Sequence, residues 1–158
     1  MFRIVGNKLE VFLVHPGGPY WRNKDVGSWG IPKGEVEERE NLIEAAKREF
    51  NEETGIIPEK EFIELGSIKY SSGKTVYAWA FETNKTNKIN IKSNTFEMEF
   101  PPHSGNTQSF PEIDKGEFFS LEKAKEKIMP QQAPLIEKLE KYAKDNKLIK
   151  QEKQVLLR

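Results

Sequence analysis

Cysteine is absent from the 158-residue chain. That one absence removes disulfides, thiolate nucleophiles, iron–sulfur clusters and cysteine-based zinc sites together. Histidine is scarce, with only His15 and His103, too few for a His-rich metal centre. Any metal site must be built from oxygen ligands, which suits magnesium, manganese or calcium. Net charge is missing too. There are 25 basic and 25 acidic residues, so the basic excess that drives generic binding to nucleic acid or anionic membranes is not there. No run approaches the ~20 apolar residues of a membrane span, and the first residues lack the basic-then-apolar pattern of a signal peptide. The default expectation is a cytoplasmic protein with no membrane partner, and with nucleic acid disfavoured as a partner.

What is present is a globular composition. Ten Phe, three Trp and four Tyr are too many for a disordered chain. The length fits one core, so residues 1–145 are expected to form a single domain and 146–158 a charged C-terminal tail, with exposure beginning near Lys144. Nothing in the sequence specifies an oligomeric state. Met1–Val5 and Leu9–His15 read as strands around Gly6-Asn7. Pro16-Gly17-Gly18-Pro19 breaks regular structure, and a short strand is expected near Trp29–Ile31. Asn41–Thr54 is helical, with Gly55 as its stop. Phe62–Tyr70 and Thr75–Glu82 read as paired strands, the second apolar enough to be central. Thr83–Pro111 reads as one strand near Ile89–Ile91 and otherwise a long loop. Gly116–Ser120 is expected as the last strand, followed by helices over Leu121–Ile128 and from Pro134.

The helix at Asn41–Thr54 carries the informative charges. Glu49, Glu52 and Glu53 lie at spacings that share one side. With Glu49 set at zero and ~100° per residue, Leu42, Ala45, Ala46 and Phe50 fall at about +20°, −40°, +60° and +100°. Glu53 falls at about +40° and Glu52 at about −60°, so the carboxylates share the apolar arc instead of opposing it. Like charges, the helix dipole and partial burial all penalise that placement. A divalent cation among them would offset all three. Arg48, four residues before Glu52, could orient or neutralise them; a plain helix salt bridge explains its spacing equally well.

The segment from Gly34 to Ile56, GEVEERENLIEAAKREFNEETGI, resembles the Nudix box: Gly, five residues, Glu, seven residues, then Arg-Glu-hydrophobic-x-Glu-Glu-x-Gly-hydrophobic. Gly34, Glu40, Arg48, Glu49, Phe50, Glu52, Glu53, Gly55 and Ile56 fill every fixed position. The preceding Trp29-Gly30-Ile31-Pro32-Lys33 resembles members of the MutT-like and diadenosine-polyphosphate-hydrolase-like groups. The resemblance implies an α/β fold, an α/β/α sandwich with a mixed β-sheet between helices. It also implies a hydrolase that uses Mg2+ or Mn2+ to cleave a phosphoanhydride in a nucleoside diphosphate linked to another group. Dinucleoside polyphosphates or nucleoside triphosphates are the leading expectation, and a nucleotide-sensing module with little catalysis is the alternative.

By the same resemblance, Glu49, Glu52, Glu53 and the backbone carbonyl of Lys33 would hold metal. Glu49 could also act as base, Arg48 would orient a glutamate, Glu40 would support the loop, and Gly34 would permit a tight turn. Outside the box, Glu112 is the leading candidate for an added acid, with Glu97 and Glu99 as rivals. Lys33, Arg22 and Lys74 are candidates for phosphate contact. Tyr70, Tyr20, Trp21 and Trp29 are candidates for stacking a base, although core packing is the stronger expectation for Trp29 and Trp79. Members of the family carry a fuller first strand, so a departure is expected at the sheet edge near Met1–Ile4.

Overall fold

The computed structural model describes residues 1–58 and 61–150. The strands are β1 (Phe2–Val5), β2 (Lys8–Pro16), β3 (Ile63–Lys69), β4 (Thr75–Ala80), β5 (Thr95–Glu99), β6 (Thr107–Pro111) and β7 (Ile113–Ser120). The helices are α1 (Leu42–Thr54), α2 (Leu121–Lys127) and α3 (Ala133–Asp145).

β2 organises the molecule. Its apolar run has no polar face, so both faces must be covered. Leu9, Val11 and Leu13 pack with Phe2, Trp29, Ile136 and Leu139 on one side. Phe12 and Val14 pack with Phe50, Phe81 and Ile113 on the other. Helices α2 and α3 cover the first face, and α1 packs on the second through β4 and β7. β1, β2 and β7 form an antiparallel sheet in that order. Gly6 and Asn7, at φ 55° and 63°, supply the two left-handed residues that a tight hairpin between β1 and β2 demands.

The chain beyond β4 then runs parallel to β1. The Phe2 N–H donates to the Phe81 carbonyl at 3.0 Å, and the Phe2 carbonyl accepts from the Thr83 N–H at 2.9 Å. This contact joins the β3–β4 hairpin to the antiparallel strands, and the result is the expected mixed sheet between helices. Among the described residues no helix is long and apolar enough to cross a membrane.

Four expectations need correction. Trp29 and Gly30 make single bridges to Ile128 and Val14 and not a strand. Ile89 and Ile91 are not a strand either; they plug the second core cluster. The long loop contains the β5–β6 hairpin, with Phe96 opposite Phe110 and Met98 opposite Gln108. The alternation Phe96, Met98, Phe100 was its signal. Finally, exposure does not begin at Lys144: α3 runs to Asp145, and Leu148 and Ile149 fold back into the core. Residues 151–158 of the expected tail lie outside the described residues.

Candidate active site

Helix α1 is fixed at both ends and along one side. The Asn41 side chain accepts from the Glu44 N–H at 3.0 Å, satisfying an orphan donor of the first turn. Gly55 takes the left-handed conformation at φ 75° and donates its N–H to the Asn51 carbonyl. Phe50 meets Phe81 edge-on at 5.2 Å and lies 6.5 Å from Phe12. With Phe50 and Ala45 in the core, Glu49 beside them is largely covered while Glu52 stays open to solvent. The Glu49 side chain is only 16% exposed, and that of Glu52 is 39% exposed. Leu42, placed on the apolar arc by its azimuth, is exposed.

Arg48 is the hub of these charges. Its guanidinium forks onto Glu40, Nε to Oε1 at 2.9 Å and Nη2 to Oε2 at 3.0 Å. Nη1 donates to Glu49 at 2.9 Å and to Glu52 at 3.2 Å, and Nη2 also reaches the Glu35 carbonyl at 2.8 Å. These bonds, led by that to Glu40 and then that to Glu49, hold the Arg48 pKa above its ordinary value. The Arg48 bond, with the Glu37 N–H, holds the Glu40 carboxyl low.

Glu53 lies apart from this network. Its Oε2 accepts the Lys33 N–H at 3.1 Å. Burial pushes its carboxyl up to about 7, the Lys33 N–H and ammonium oppose that rise, and the charges of Glu49 and Glu112 add to it. Gly34 next door is needed for space and not for turning. A Cβ there would stand 1.7 Å from the Glu49 carboxyl carbon. Only glycine at this position leaves the Glu49 carboxylate where it lies against the loop.

Among the described residues no three acidic or histidine side chains already converge as a metal cage. Arg48 draws Glu49 and Glu52 toward itself, while Glu53 is held by a backbone N–H. The donor set nevertheless fits a hard divalent cation. It consists of carboxylates, one of them, Glu53, destabilised as an anion first by burial and then by the charges of Glu49 and Glu112, with no sulfur or imidazole among them.

A family model described as NUDIX domain matches residues 1–139. The chain belongs to the NUDIX domain family, that of the Nudix hydrolases. No curated protein sequence matches the chain. Solved structures show the same fold. An Ap4A hydrolase from C. elegans, in a binary complex, is 22% identical, with TM-score 0.62, over 89% of this chain and 92% of that one. A MutT protein from Methanosarcina mazei Go1 is 20% identical, with TM-score 0.52, over 90% and 92%. The E. coli ORF135 protein is 19% identical, with TM-score 0.55, over 91% and 87%.

Outside the box, the Nudix fold sorts the remaining candidates. Glu112 sits where its charge acts on Glu53, fixed by its carbonyl accepting the Gly17 N–H and its own N–H donating to the Asn94 carbonyl, both at 2.9 Å. Glu99 is used by the hairpin turn, accepting the Gly105 N–H at 2.7 Å. Lys74 is linked to the box through Glu35 at 3.5 Å. Arg22 is exposed and, among the described residues, makes no contact with the carboxylates. Its loop is fastened to α2, with Asp25 paired to Lys127. Trp29 is buried and donates Nε1–H to Asp25. Tyr20 and Trp21 stand edge to face outside, under the Lys24 ammonium.

Gln132 was not legible as a site residue. It is fully buried, accepts the Ile31 N–H at 2.9 Å and donates to the Tyr70 hydroxyl at 2.9 Å. One amide thus ties the start of α3 to the loop before Lys33 and to the end of β3. His15 was also undervalued. It is buried between Asp114 at 2.8 Å and the Lys24 carbonyl at 2.7 Å, and clamps the Pro16–Lys24 loop to β7. No spacing rule marks a lone Gln or His as a tie between segments this distant in sequence.

Proposed function

We propose that this Nudix protein, working as one domain over residues 1–145 in the cytoplasm, hydrolyses a phosphoanhydride bond in a nucleoside diphosphate linked to another group. Dinucleoside polyphosphates and nucleoside triphosphates are the substrates of choice. The observation that carries the reading is that the Arg48 hub, which reaches the Glu35 carbonyl, and the half-buried Glu53, which accepts the Lys33 N–H, both face the loop around Gly34. The fold shared with an Ap4A hydrolase supports it.

Glu49, Glu52 and Glu53, with the Lys33 backbone and Glu112, would hold Mg2+ or Mn2+. The bound metal supplies neutralisation of phosphate oxygens and activation of water. Arg48 keeps the Glu49 carboxylate aimed at the Lys33–Gly34 loop, and Glu49 can take a proton from an attacking water there. Glu40 holds the other edge of the Arg48 fork. The ammoniums of Lys33 and Lys74 draw phosphate to the rim, with Arg22 and Tyr70 as outer contacts.

The test is a nucleotide panel assayed for phosphate and pyrophosphate with magnesium or manganese. Turnover of at least one dinucleoside polyphosphate or triphosphate is expected, with a loss of about a hundredfold or more in Glu49→Gln, the scale of a lost general base. No turnover of any phosphoanhydride would overturn the reading.

A further inference from the structure

The backbone that carries Lys33 has no regular structure between Ile31 and Val36, so its position depends on single hydrogen bonds. Gly30 exchanges both of its backbone bonds with Val14 at 2.9 Å. The next N–H, that of Ile31, donates to Gln132 Oε1 at 2.9 Å. Pro32 has no N–H to give. Lys33 then donates to Glu53 Oε2 at 3.1 Å. The Gln132 amide is thus the step between the sheet and the acidic helix.

Gln132 has little freedom of its own. It is fully buried. Its N–H donates to the Met129 carbonyl at 2.8 Å, and the Met129 N–H donates to the Trp29 carbonyl at 2.7 Å. Gly30 lies against the amide: a Cβ there would stand 2.9 Å from Gln132 Oε1 and 3.4 Å from Nε2.

The polarity of the amide follows from its partners. A backbone N–H can only donate, so the amide oxygen must face Ile31 and the NH2 must face Tyr70. Nε2 donates to the Tyr70 hydroxyl at 2.9 Å. A hydroxyl that accepts in this way keeps its own proton to give, and among the described residues no group takes it. Tyr70 is only half-buried. Its N–H donates to the Lys74 carbonyl at 2.8 Å. The Lys74 ammonium stands 3.5 Å from the Glu35 carboxylate, and Arg48 holds the Glu35 carbonyl at 2.8 Å.

We propose that Gln132 is a positioning residue of the site, whose amide oxygen sets the Lys33 loop against Glu53 and whose amide nitrogen leaves the Tyr70 hydroxyl proton to a phosphate oxygen of the substrate. The second half rests on the function proposed above; the first does not. One buried amide then aligns two rims of the site, the Lys33 loop and the Tyr70–Lys74 turn.

The test measures KM and kcat on the nucleotide that the parent turns over fastest. Gln132→Glu keeps an oxygen for Ile31, and once ionised it draws the Tyr70 proton inward. Its KM should match the parent's at about pH 5, where the carboxyl still donates to Tyr70, and exceed it about tenfold or more at about pH 9, with kcat within about twofold. Tyr70→Phe should raise KM by a similar factor. Gln132→Met releases Ile31 as well, so kcat should fall about tenfold or more, and amide exchange at Lys33 without nucleotide should quicken at least about tenfold. Gly30→Ala displaces the amide while keeping Gln132, and should reproduce that loss of kcat even where a Gln132 variant fails to fold. A KM ratio that is flat with pH, together with parental KM in Tyr70→Phe, would refute the donor role. Parental Lys33 exchange in Gln132→Met, together with parental kcat in Gly30→Ala, would refute the positioning role. A parent that turns over no phosphoanhydride would overturn the proposed function and the donor role with it, and the Lys33 exchange would still decide whether Gln132 places the loop.

Discussion

Gly34 and Glu49 form a single unit. The group that a Gly34 Cβ would strike is the far end of a flexible side chain, so Gly34→Ala should fold nearly as well as the parent, with Tm within about 3 °C. The displaced Glu49 carboxylate should still cost about a hundredfold in kcat, the scale of an ångström's misplacement. Kinetics beside a melting curve check this, and unchanged turnover would refute it. Glu53 makes a pH prediction. Its pKa rises from an ordinary 4.5 to about 7 on folding, so the folded state binds the proton more tightly. That contribution is fully present below about pH 4.5 and is lost as pH rises through about 7, on the order of 3 kcal/mol in all. Urea unfolding in chelator at about pH 5 and about pH 8 should show the fall, and Glu53→Gln should flatten it. An equally steep fall in the variant would rule Glu53 out as the source.

At the level of elements, α1 works because its caps and its Phe50 anchor leave the carboxylate side no freedom. Asn41→Ala should cost about 1 kcal/mol of stability, the usual worth of such a cap, read from denaturant melts. Its sequence signature was plain: a capping residue, an apolar arc and a stopping glycine. The β5–β6 hairpin was readable from its alternation, but its neighbours, rich in Ser, Gly and Pro, suggested loop. Ile89 and Ile91 have the composition of a strand and fill a core instead. Short apolar runs carry no information on whether they pair or plug.

For the whole molecule, the site is assembled from the Lys33 loop, α1 and the start of β7, with Gln132 tying the loop to α3 and Tyr70. Glu112 comes from a segment nearly 60 residues beyond Glu53, yet its charge acts on that carboxyl. Glu112→Gln should lower kcat, and Glu97→Gln should not; the reverse outcome would exchange their roles. Magnesium or manganese at saturating concentration should raise the Tm of the parent, since a ligand that binds only the folded state stabilises it. The shift should vanish when Glu49 and Glu53 are both changed to Gln. A shift that persists would move the cation elsewhere.

The sequence alone determined the chemistry open to the proposed site. With no cysteine and two histidines, any metal chemistry would rest on oxygen, and the fixed spacing of Gly34, Glu40, Arg48, Glu49, Glu52 and Glu53 lies within one local segment whose helical part is legible from residue to residue. Only the tertiary structure decided how Arg48 divides itself among Glu40, Glu49 and Glu52, why a Gly34 Cβ would displace Glu49, that the Glu112 charge acts on Glu53, and that Gln132 holds the loop before Lys33. The links made by Glu112 and Gln132 join segments distant along the chain. They depend on how strands and helices pack, and packing leaves no periodic trace in a single sequence.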